Sequence, residues 1–186
     1  MTPKAPKAVR GRAARSCGEG PSTPATTALD RAALPYVRHA YAHDPAVTGY
    51  GVEAATMLRV SAARVFKTLL VDLGATPGRG IGRGPGMGVG IVPVTRQLDL
   101  KATAAALGVK AVSMADPAAA ERATGYVLGG ISPLGQKRIL PAVLDESAYA
   151  FETIYVSGGR RGFDLELAPG DLGTLTRAIR ARIARP

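Results

Sequence analysis

The sequence predicts an α+β fold: a single domain built on a mixed, partly antiparallel, barrel-like β-sheet flanked by helices. The chain has 186 residues, which is the size of one ordinary domain with a substantial core. Apolar residues make up 46% of it and charged residues 20%, and this balance is typical of a globular chain. Segments of strand and helix character mix without strict βαβ alternation, which favours the α+β class.

The N-terminal segment differs in composition from the rest of the chain. Residues 1–22 are rich in Pro, Gly, Lys, Arg and Ala without periodicity, so we predict a disordered basic extension there. Thr23 can cap a helix whose first position is Pro24, where the missing N–H costs nothing. We therefore predict one folded domain over residues 23–186.

Helices are predicted from apolar spacing and from capping residues. The last helix begins at Asp171, and apolar residues then recur at spacings of three and four, which forms one stripe. The residues of this stripe are Leu172, Leu175, Ile179 and Ile183. The other predicted helices cover residues 24–33, 50–58, 99–107 and 117–123, with a short one from Ser61.

Strands are predicted from runs of β-branched and aliphatic residues. The clearest run is residues 65–71, Val-Phe-Lys-Thr-Leu-Leu-Val. The other predicted strands cover residues 36–41, 90–94, 109–114, 126–128, 142–144, 153–156 and 163–167.

A glycine-rich segment lies between two of these strands, at residues 74–90. Its glycines from Gly78 to Gly90 all fall on even positions, whereas a G-x-G-x-x-G motif needs one glycine at an odd offset. The segment is therefore predicted to be a flexible hairpin loop and not a nucleotide cradle.

The charge of the chain is strongly basic. The formal net charge is +10, and the tail through Pro21 carries five Lys and Arg residues against one Glu, so 5 − 1 = +4 lies in the tail and +6 in the remainder. A basic body fits a polyanionic partner, because neutralised phosphates release counterions. Arginines that only keep the surface soluble are the alternative, and charge alone leaves both open.

Several classes of protein are disfavoured. Cys17 is the single cysteine, so no intrachain disulfide can form. The chain has only two histidines, His39 and His43, so a zinc site built from Cys and His is not expected. No stretch reaches the roughly 18–20 apolar residues of a membrane helix, and the N-terminus has no apolar signal core. We expect a cytoplasmic protein without cofactor, metal or membrane association.

Lys67 is the most informative residue of the sequence. In a strand it shares one face with Val65 and Leu69. Burying a lysine among aliphatic side chains costs free energy unless its ammonium group is paired or has a functional role. Such a site can lower the pKa of the lysine or direct its charge at an anion. The alternative is an edge-strand lysine whose amine reaches water.

Two glycine-bearing segments are candidates for ligand contact. Residues 125–135 and 157–162 let the backbone approach a ligand closely, with N–H groups free to bind oxygen. Ordinary hairpin turns are the alternative. Asp164 and Glu166 then alternate with apolar residues, and a solvated strand face explains them equally well.

Four segments together resemble the YbaK/EbsC family of Cys-tRNA(Pro) deacylases, which are relatives of the editing domain inserted in bacterial prolyl-tRNA synthetases. The most specific is Gly-Gly-Ile-Ser-Pro-Leu-Gly-Gln-Lys, and the resemblance extends from about residue 23 to residue 184. The segments are residues 65–71, 97–101, 125–137 and 154–159.

The resemblance implies hydrolysis of the ester bond of mischarged tRNA, with Cys-tRNA(Pro) as the substrate. It implies a site built around Lys67, no metal, no protein nucleophile and assistance from the thiol of the substrate. It also implies aminoacylated tRNA as a partner and a transient complex with prolyl-tRNA synthetase. The other residues that match the site of the family are Tyr41, Thr68, Gly129, Ser157 and Asp164.

Basic residues near the glycine segments are predicted to contact tRNA phosphates, on chemistry alone. Removal of alanine or of several amino acids remains an alternative to Cys-tRNA(Pro) deacylation. A module that binds tRNA or a synthetase without turnover is a second alternative, from another functional class. The predicted phosphate contacts are Lys137, Arg138, Arg160 and Arg161.

Overall fold

The computed structural model describes residues 17–47, 49–74 and 86–186. The five α-helices of these ranges are α1 Pro24–Ala32, α2 Tyr50–Leu58, α3 Leu100–Ala106, α4 Pro117–Thr124 and α5 Pro169–Thr176. Short 3₁₀ helices cover Ala62–Arg64 and Glu146–Ala150. The strands are β1 Cys17–Gly18, β2 Val37–Ala40, β3 Val65–Asp72, β4 Met87–Pro93, β5 Gln97–Leu98, β6 Ser113–Met114, β7 Ala142–Asp145, β8 Ile154–Arg160, β9 Phe163–Leu167, β10 Ile179–Ala181 and β11 Ala184–Arg185.

The main sheet is mixed, as the sequence predicts. Within the described ranges its strand order is β1-β2-β9-β8-β3-β4-β7-β10, and β6 pairs with β3 outside this path. β3 is antiparallel to β4 and parallel to β8, while β8 and β9 form an antiparallel pair. The sheet stays open between edge strands β1 and β10, so the α+β class is confirmed and the barrel-like closure is not.

Three of the predicted helix starts, those of α1, α3 and α4, are confirmed by their caps. Thr23 accepts a hydrogen bond from the Thr26 N–H and completes a capping box with it. The Asp99 and Asp116 carboxylates cap α3 and α4 by accepting the N–H groups of Ala102 and Ala119. The Thr23 hydroxyl also donates to the Gly158 carbonyl at 2.7 Å, which ties the start of α1 to the second glycine segment.

Strand β4 begins earlier than the sequence predicts. The expected loop runs to Gly90, but β4 starts at Met87, and residues 75–85 lie outside the described part of the chain. A Cβ on Gly88 would lie 2.9 Å from Leu107, and a Cβ on Gly90 would lie 2.7 Å from Leu98. These glycines therefore serve close packing of α3 and β5 on the sheet, a role that composition does not distinguish from loop flexibility.

The predicted C-terminal helix is wrong beyond its second turn. α5 ends at Thr176, and the chain continues as β10 beside β7 and as β11 beside β5. The buried carboxylate of Asp145 accepts hydrogen bonds from the Ile183 and Ala184 N–H groups at 2.8 and 2.7 Å. These long-range bonds favour extended backbone although the apolar spacing is helical.

Two predicted strands are also corrected. Residues 126–128 form a loop, because the Tyr126 hydroxyl donates to the Leu134 carbonyl at 2.7 Å and Glu121 accepts the Leu128 N–H at 2.7 Å. Only Ser113–Met114 of the predicted strand 109–114 is extended. Among the helices of the described ranges, none is long and apolar enough to cross a bilayer.

We expect Asp145→Ala to lower the free energy of unfolding by about 2–4 kcal/mol, because it leaves the Ile183 and Ala184 amides without their acceptor. Urea unfolding followed by far-UV circular dichroism measures this loss. Asp116→Ala is the matched control, since it removes an exposed helix cap worth about 1 kcal/mol. Equal losses in the two variants would contradict the assignment to Asp145.

Candidate active site

A cavity of about 350 Å³ opens where α2, β3, β8 and β9 meet. The turn at residues 128–131 and Tyr41 complete its walls. Every residue that the family resemblance places in the site lines this cavity. They are Tyr41, Lys67, Thr68, Gly129, Ser157 and Asp164.

The Lys67 side chain lies at this cavity and not in open solvent. It is half-buried, and its Nζ approaches the Val94 carbonyl oxygen at 3.4 Å. Burial lowers the pKa of Lys67 below its ordinary value. No carboxylate of the described residues forms an ion pair with it. The ammonium group therefore has no counter-ion among the described residues.

The cavity lies beside a break in the pairing of β3 with its neighbours in the β-sheet. The last pair between β3 and β8 is Phe66 with Val156, and β6 pairs with β3 only from Val71. Lys67 and Thr68 follow one another in β3 and so point to opposite faces, yet both line the cavity. The cavity therefore lies beside the edge of β3 that β8 has left.

The main chain of Thr68 faces this break. The odd-numbered residues of β3 form the main-chain hydrogen bonds to β4. One example is the bond from the Val94 N–H to the Val65 carbonyl at 2.8 Å. The N–H and C=O of Thr68 therefore point toward the β8 side, where no described strand pairs with it. The Thr68 hydroxyl is buried and has no hydrogen-bond partner among the described residues. Thr68, a residue of the cavity wall, thus carries polar groups that have no partner among the described residues.

Asp164 is the buried carboxyl group of the site. Its residue is only 5% exposed, and the Tyr41 hydroxyl donates to its Oδ2 at 2.9 Å. Burial raises the pKa of Asp164 to about 7, and the Tyr41 hydrogen bond opposes this only in part. Burial and the charge of Asp164 also raise the pKa of Tyr41. Asp164 is therefore not part of a solvated strand face.

Glu166 has a different environment two residues further along the same face. Its carboxylate pairs with His39 at 3.0 Å and with Arg64 at 3.2 Å, and it accepts the Thr153 hydroxyl at 2.6 Å. Glu166 is thus neutralised locally, whereas Asp164 has a phenol and no cation. The described residues contain no cluster of His, Cys, Asp and Glu arranged for a metal ion.

The two predicted glycine segments meet at the cavity. A Cβ on Gly130 would lie 3.1 Å from backbone atoms of Arg160 and Arg161, so the two turns are in direct backbone contact. Gly129 has φ +82°, and a Cβ there would lie 2.6 Å from the Tyr50 ring. Glycine is therefore required by both conformation and space.

The four predicted phosphate contacts separate into two groups. Arg160 lines the cavity, and the Arg161 guanidinium donates to the Leu128 carbonyl at 2.9 and 3.0 Å. Lys137 instead packs its aliphatic stem on Gly125, and Arg138 lines a second cavity of about 260 Å³.

The sequence analysis missed Tyr50 and the residues around it. The Tyr50 ring lines the cavity, and the Arg161 guanidinium lies 4.9 Å from the ring centroid. His43 and Glu53 lie behind this wall as a pair, with the His43 Nδ1 and Glu53 Oε2 atoms 2.8 Å apart. The sequence pattern that could have indicated this residue is an aromatic side chain between two glycines, Gly49 and Gly51, because it is typical of a residue that borders a cavity.

This fold and this site define an aminoacyl-tRNA editing domain. The family model with that description matches residues 44–175, and the chain belongs to this family. It is 37% identical over 129 residues to a protein named as a Cys-tRNA(Pro)/Cys-tRNA(Cys) deacylase, EbsC of Enterococcus faecalis, covering 69% of this chain and 73% of that protein. The resemblance found in the sequence is confirmed.

Two solved structures share the fold. One is described as a trans-editing enzyme for prolyl-tRNA synthetase, with a TM-score of 0.69, 24% identity and coverage of 90% of this chain and 100% of that one. The other is protein APE2540, with a TM-score of 0.73, 23% identity and coverage of 88% and 100%. At this level of identity the likeness concerns the fold.

We expect the stability of the protein to depend on pH through Asp164. Its pKa in the folded state, about 7, lies above that of an unfolded aspartate, so its contribution is complete below about pH 4 and is lost as pH rises through 7. In urea unfolding, Asp164→Asn should therefore gain about 2–4 kcal/mol relative to wild type between pH 4 and pH 8. A difference between the two proteins that does not change with pH would contradict the buried carboxyl.

Proposed function

We propose that this chain hydrolyses the ester bond of mischarged tRNA, with Cys-tRNA(Pro) as its main substrate. The observation that carries the proposal is one cavity lined by a half-buried lysine without a carboxylate partner among the described residues, by a threonine whose buried hydroxyl has no partner there, and by a buried aspartic acid. Membership of the editing-domain family and the name of the Enterococcus faecalis relative support it.

Hydrolysis of an aminoacyl ester requires the protein mainly to position the substrate. An aminoacyl ester is already activated, so its hydrolysis depends mainly on orientation and on stabilisation of developing negative charge. Water adds to the carbonyl carbon, the bond to the ribose oxygen breaks, and the products are the free amino acid and tRNA with a free hydroxyl. For a cysteinyl ester, the thiol of the substrate assists this cleavage, as the family resemblance implies.

Lys67 supplies the positive charge in this proposal. Its ammonium group lies in a partly desolvated cavity, where its interaction with an ester, ribose or phosphate oxygen is stronger than in water. The Thr68 hydroxyl and main-chain N–H, at the break in the sheet, are adjacent donors for a second oxygen. Gly129 lets the ligand approach the backbone of its turn on the opposite wall.

Asp164 and Ser157 bind the amino-acid end. The Asp164 carboxyl accepts the Tyr41 hydroxyl and has its other oxygen for the amino group of the substrate. Ser157 pairs with Asp164 across the β8–β9 ladder. Neither His39 nor His43 lines the cavity, so Ser157 has no histidine base and acts as a binding group, not as a nucleophile.

The mouth of the cavity suits the tRNA that carries the ester. Arg160 and Arg161 lie at this mouth, where they can meet phosphates near the 3′ end. Lys137 and Arg138 lie apart from this mouth, at Gly125 and at the second cavity. A transient complex with prolyl-tRNA synthetase supplies recognition of the tRNA body.

Substitution of Lys67 tests the site. We expect Lys67→Ala to reduce deacylation of Cys-tRNA(Pro) by at least about 100-fold, because it removes the cation of the cavity. Loss of radiolabelled cysteine from tRNA under single-turnover conditions measures the rate, and circular dichroism checks the fold. Lys101→Ala, at an exposed position of α3, is the matched control and should retain the wild-type rate.

The same assay decides between substrates and classes. Comparison of Cys-tRNA(Pro), Cys-tRNA(Cys) and Ala-tRNA(Pro) identifies the amino acid that is removed. Binding of charged tRNA without loss of ester from any of them would replace the enzyme by a binding module. Full activity of Lys67→Ala would remove Lys67 from the site.

A further inference from the structure

We propose that His43 and Glu53 form a positioning pair that holds the segment 41–47 against α2 and thereby sets the affinity of the cavity for its substrate. This inference rests on the proposed function. It concerns residues that do not line the cavity, so their influence is exerted through the wall they support.

Both carboxylate oxygens of Glu53 are committed to this segment. Oε2 contacts His43 Nδ1 at 2.8 Å, and Oε1 accepts the Asp44 main-chain N–H at 2.7 Å. The side chains of His43 and Glu53 are only 15% and 8% exposed. Glu53 also lies in the first turn of α2, where the helix N-terminus favours a negative charge.

The segment that Glu53 holds lies between two walls of the cavity. Tyr41 begins it, Gly49 follows its end and leads into Tyr50, and all three line the cavity. The His43 ring centroid lies 5.6 Å from that of Tyr50, so the pair also supports the aromatic wall from behind. Thr48 lies outside the described residues.

The middle of the segment has few other ties to the domain. The Tyr41 N–H donates to the Gly162 carbonyl at 2.9 Å and anchors the start. The bonds from Asp44 to Ala46 and Val47 are local to a turn. In the described part of the segment, the hydrogen bonds that join its middle to α2 both end on Glu53.

Loss of the pair has a defined kinetic signature. If the segment opens, only a fraction of molecules is competent to bind, and the apparent affinity falls by that fraction. Bound substrate closes the wall again, so the chemical step is little changed. A variant that is merely less folded shows the opposite pattern, a lower apparent kcat at unchanged KM.

We expect Glu53→Ala to raise KM for Cys-tRNA(Pro) about tenfold while kcat stays within about twofold of wild type. Glu53→Gln should stay within about twofold in both parameters, because its amide oxygen accepts the Asp44 N–H and its amide nitrogen donates to neutral His43. His43→Ala combined with Glu53→Ala should give no larger rise than Glu53→Ala alone, since both remove one interaction.

Asp30→Ala is the matched control. Asp30 is likewise a hydrogen-bonded carboxylate, since it accepts the Tyr36 hydroxyl at 2.9 Å, but it lies on α1 and does not line the cavity. Its KM should equal that of wild type. Hydrogen exchange of the Asp44 amide gives a readout independent of activity, and we expect faster exchange in Glu53→Ala than in Glu53→Gln.

The outcomes separate the two proposals. Wild-type protein that hydrolyses no charged tRNA overturns the proposed function. Active wild-type protein with an unchanged KM in Glu53→Ala, or with only a lower apparent kcat, overturns the positioning pair. Unchanged exchange of the Asp44 amide in Glu53→Ala overturns it as well.

Discussion

The site depends on one break in the β-sheet, where β8 leaves β3 after the pair formed by Phe66 and Val156. A continuous ladder would have consumed the polar groups of Thr68 and closed the space beside Lys67. The break instead leaves the main-chain groups of Thr68, a residue of the cavity wall, without a strand partner among the described residues. The register irregularity between Ser157 and Arg160 in β8 belongs to the same departure.

Glycine turns and long-range hydrogen bonds keep this break from collapsing. The Gly130 backbone contacts the turn at Arg160 and Arg161, and the Thr23 hydroxyl holds the Gly158 carbonyl from the start of α1. Opening a sheet exposes backbone groups at a free-energy cost, and these contacts offset it by fixing both sides of the opening.

The electrostatics of the cavity follow from which charges are neutralised locally. The Glu166 carboxylate is paired with Arg64 and hydrogen-bonded to His39, and the Glu53 carboxylate is hydrogen-bonded to His43 and to the Asp44 N–H. Lys67 and Asp164 share the cavity without such ion pairs, so desolvation lowers the pKa of the lysine and raises that of the aspartate. Both groups are therefore available to a polar ligand.

Local sequence patterns by themselves determined the α+β class, the caps at Thr23, Asp99 and Asp116, and the strand that carries Lys67. These features depend on interactions between residues a few positions apart, so they can be predicted from the sequence directly. The resemblance to a family supplied the remaining site residues, because Tyr41, Lys67 and Asp164 are far apart in sequence and no local pattern relates them.

Only the tertiary structure decided where local patterns compete with distant contacts. The apolar spacing through Ile183 is helical, but the buried Asp145 carboxylate and the β7 ladder hold that stretch extended. The tertiary structure likewise determines three other features: the open sheet, the gap at Thr68 and the pairing of His43 with Glu53. Each joins segments that are separate in sequence, and their energies arise only when folding brings those segments together.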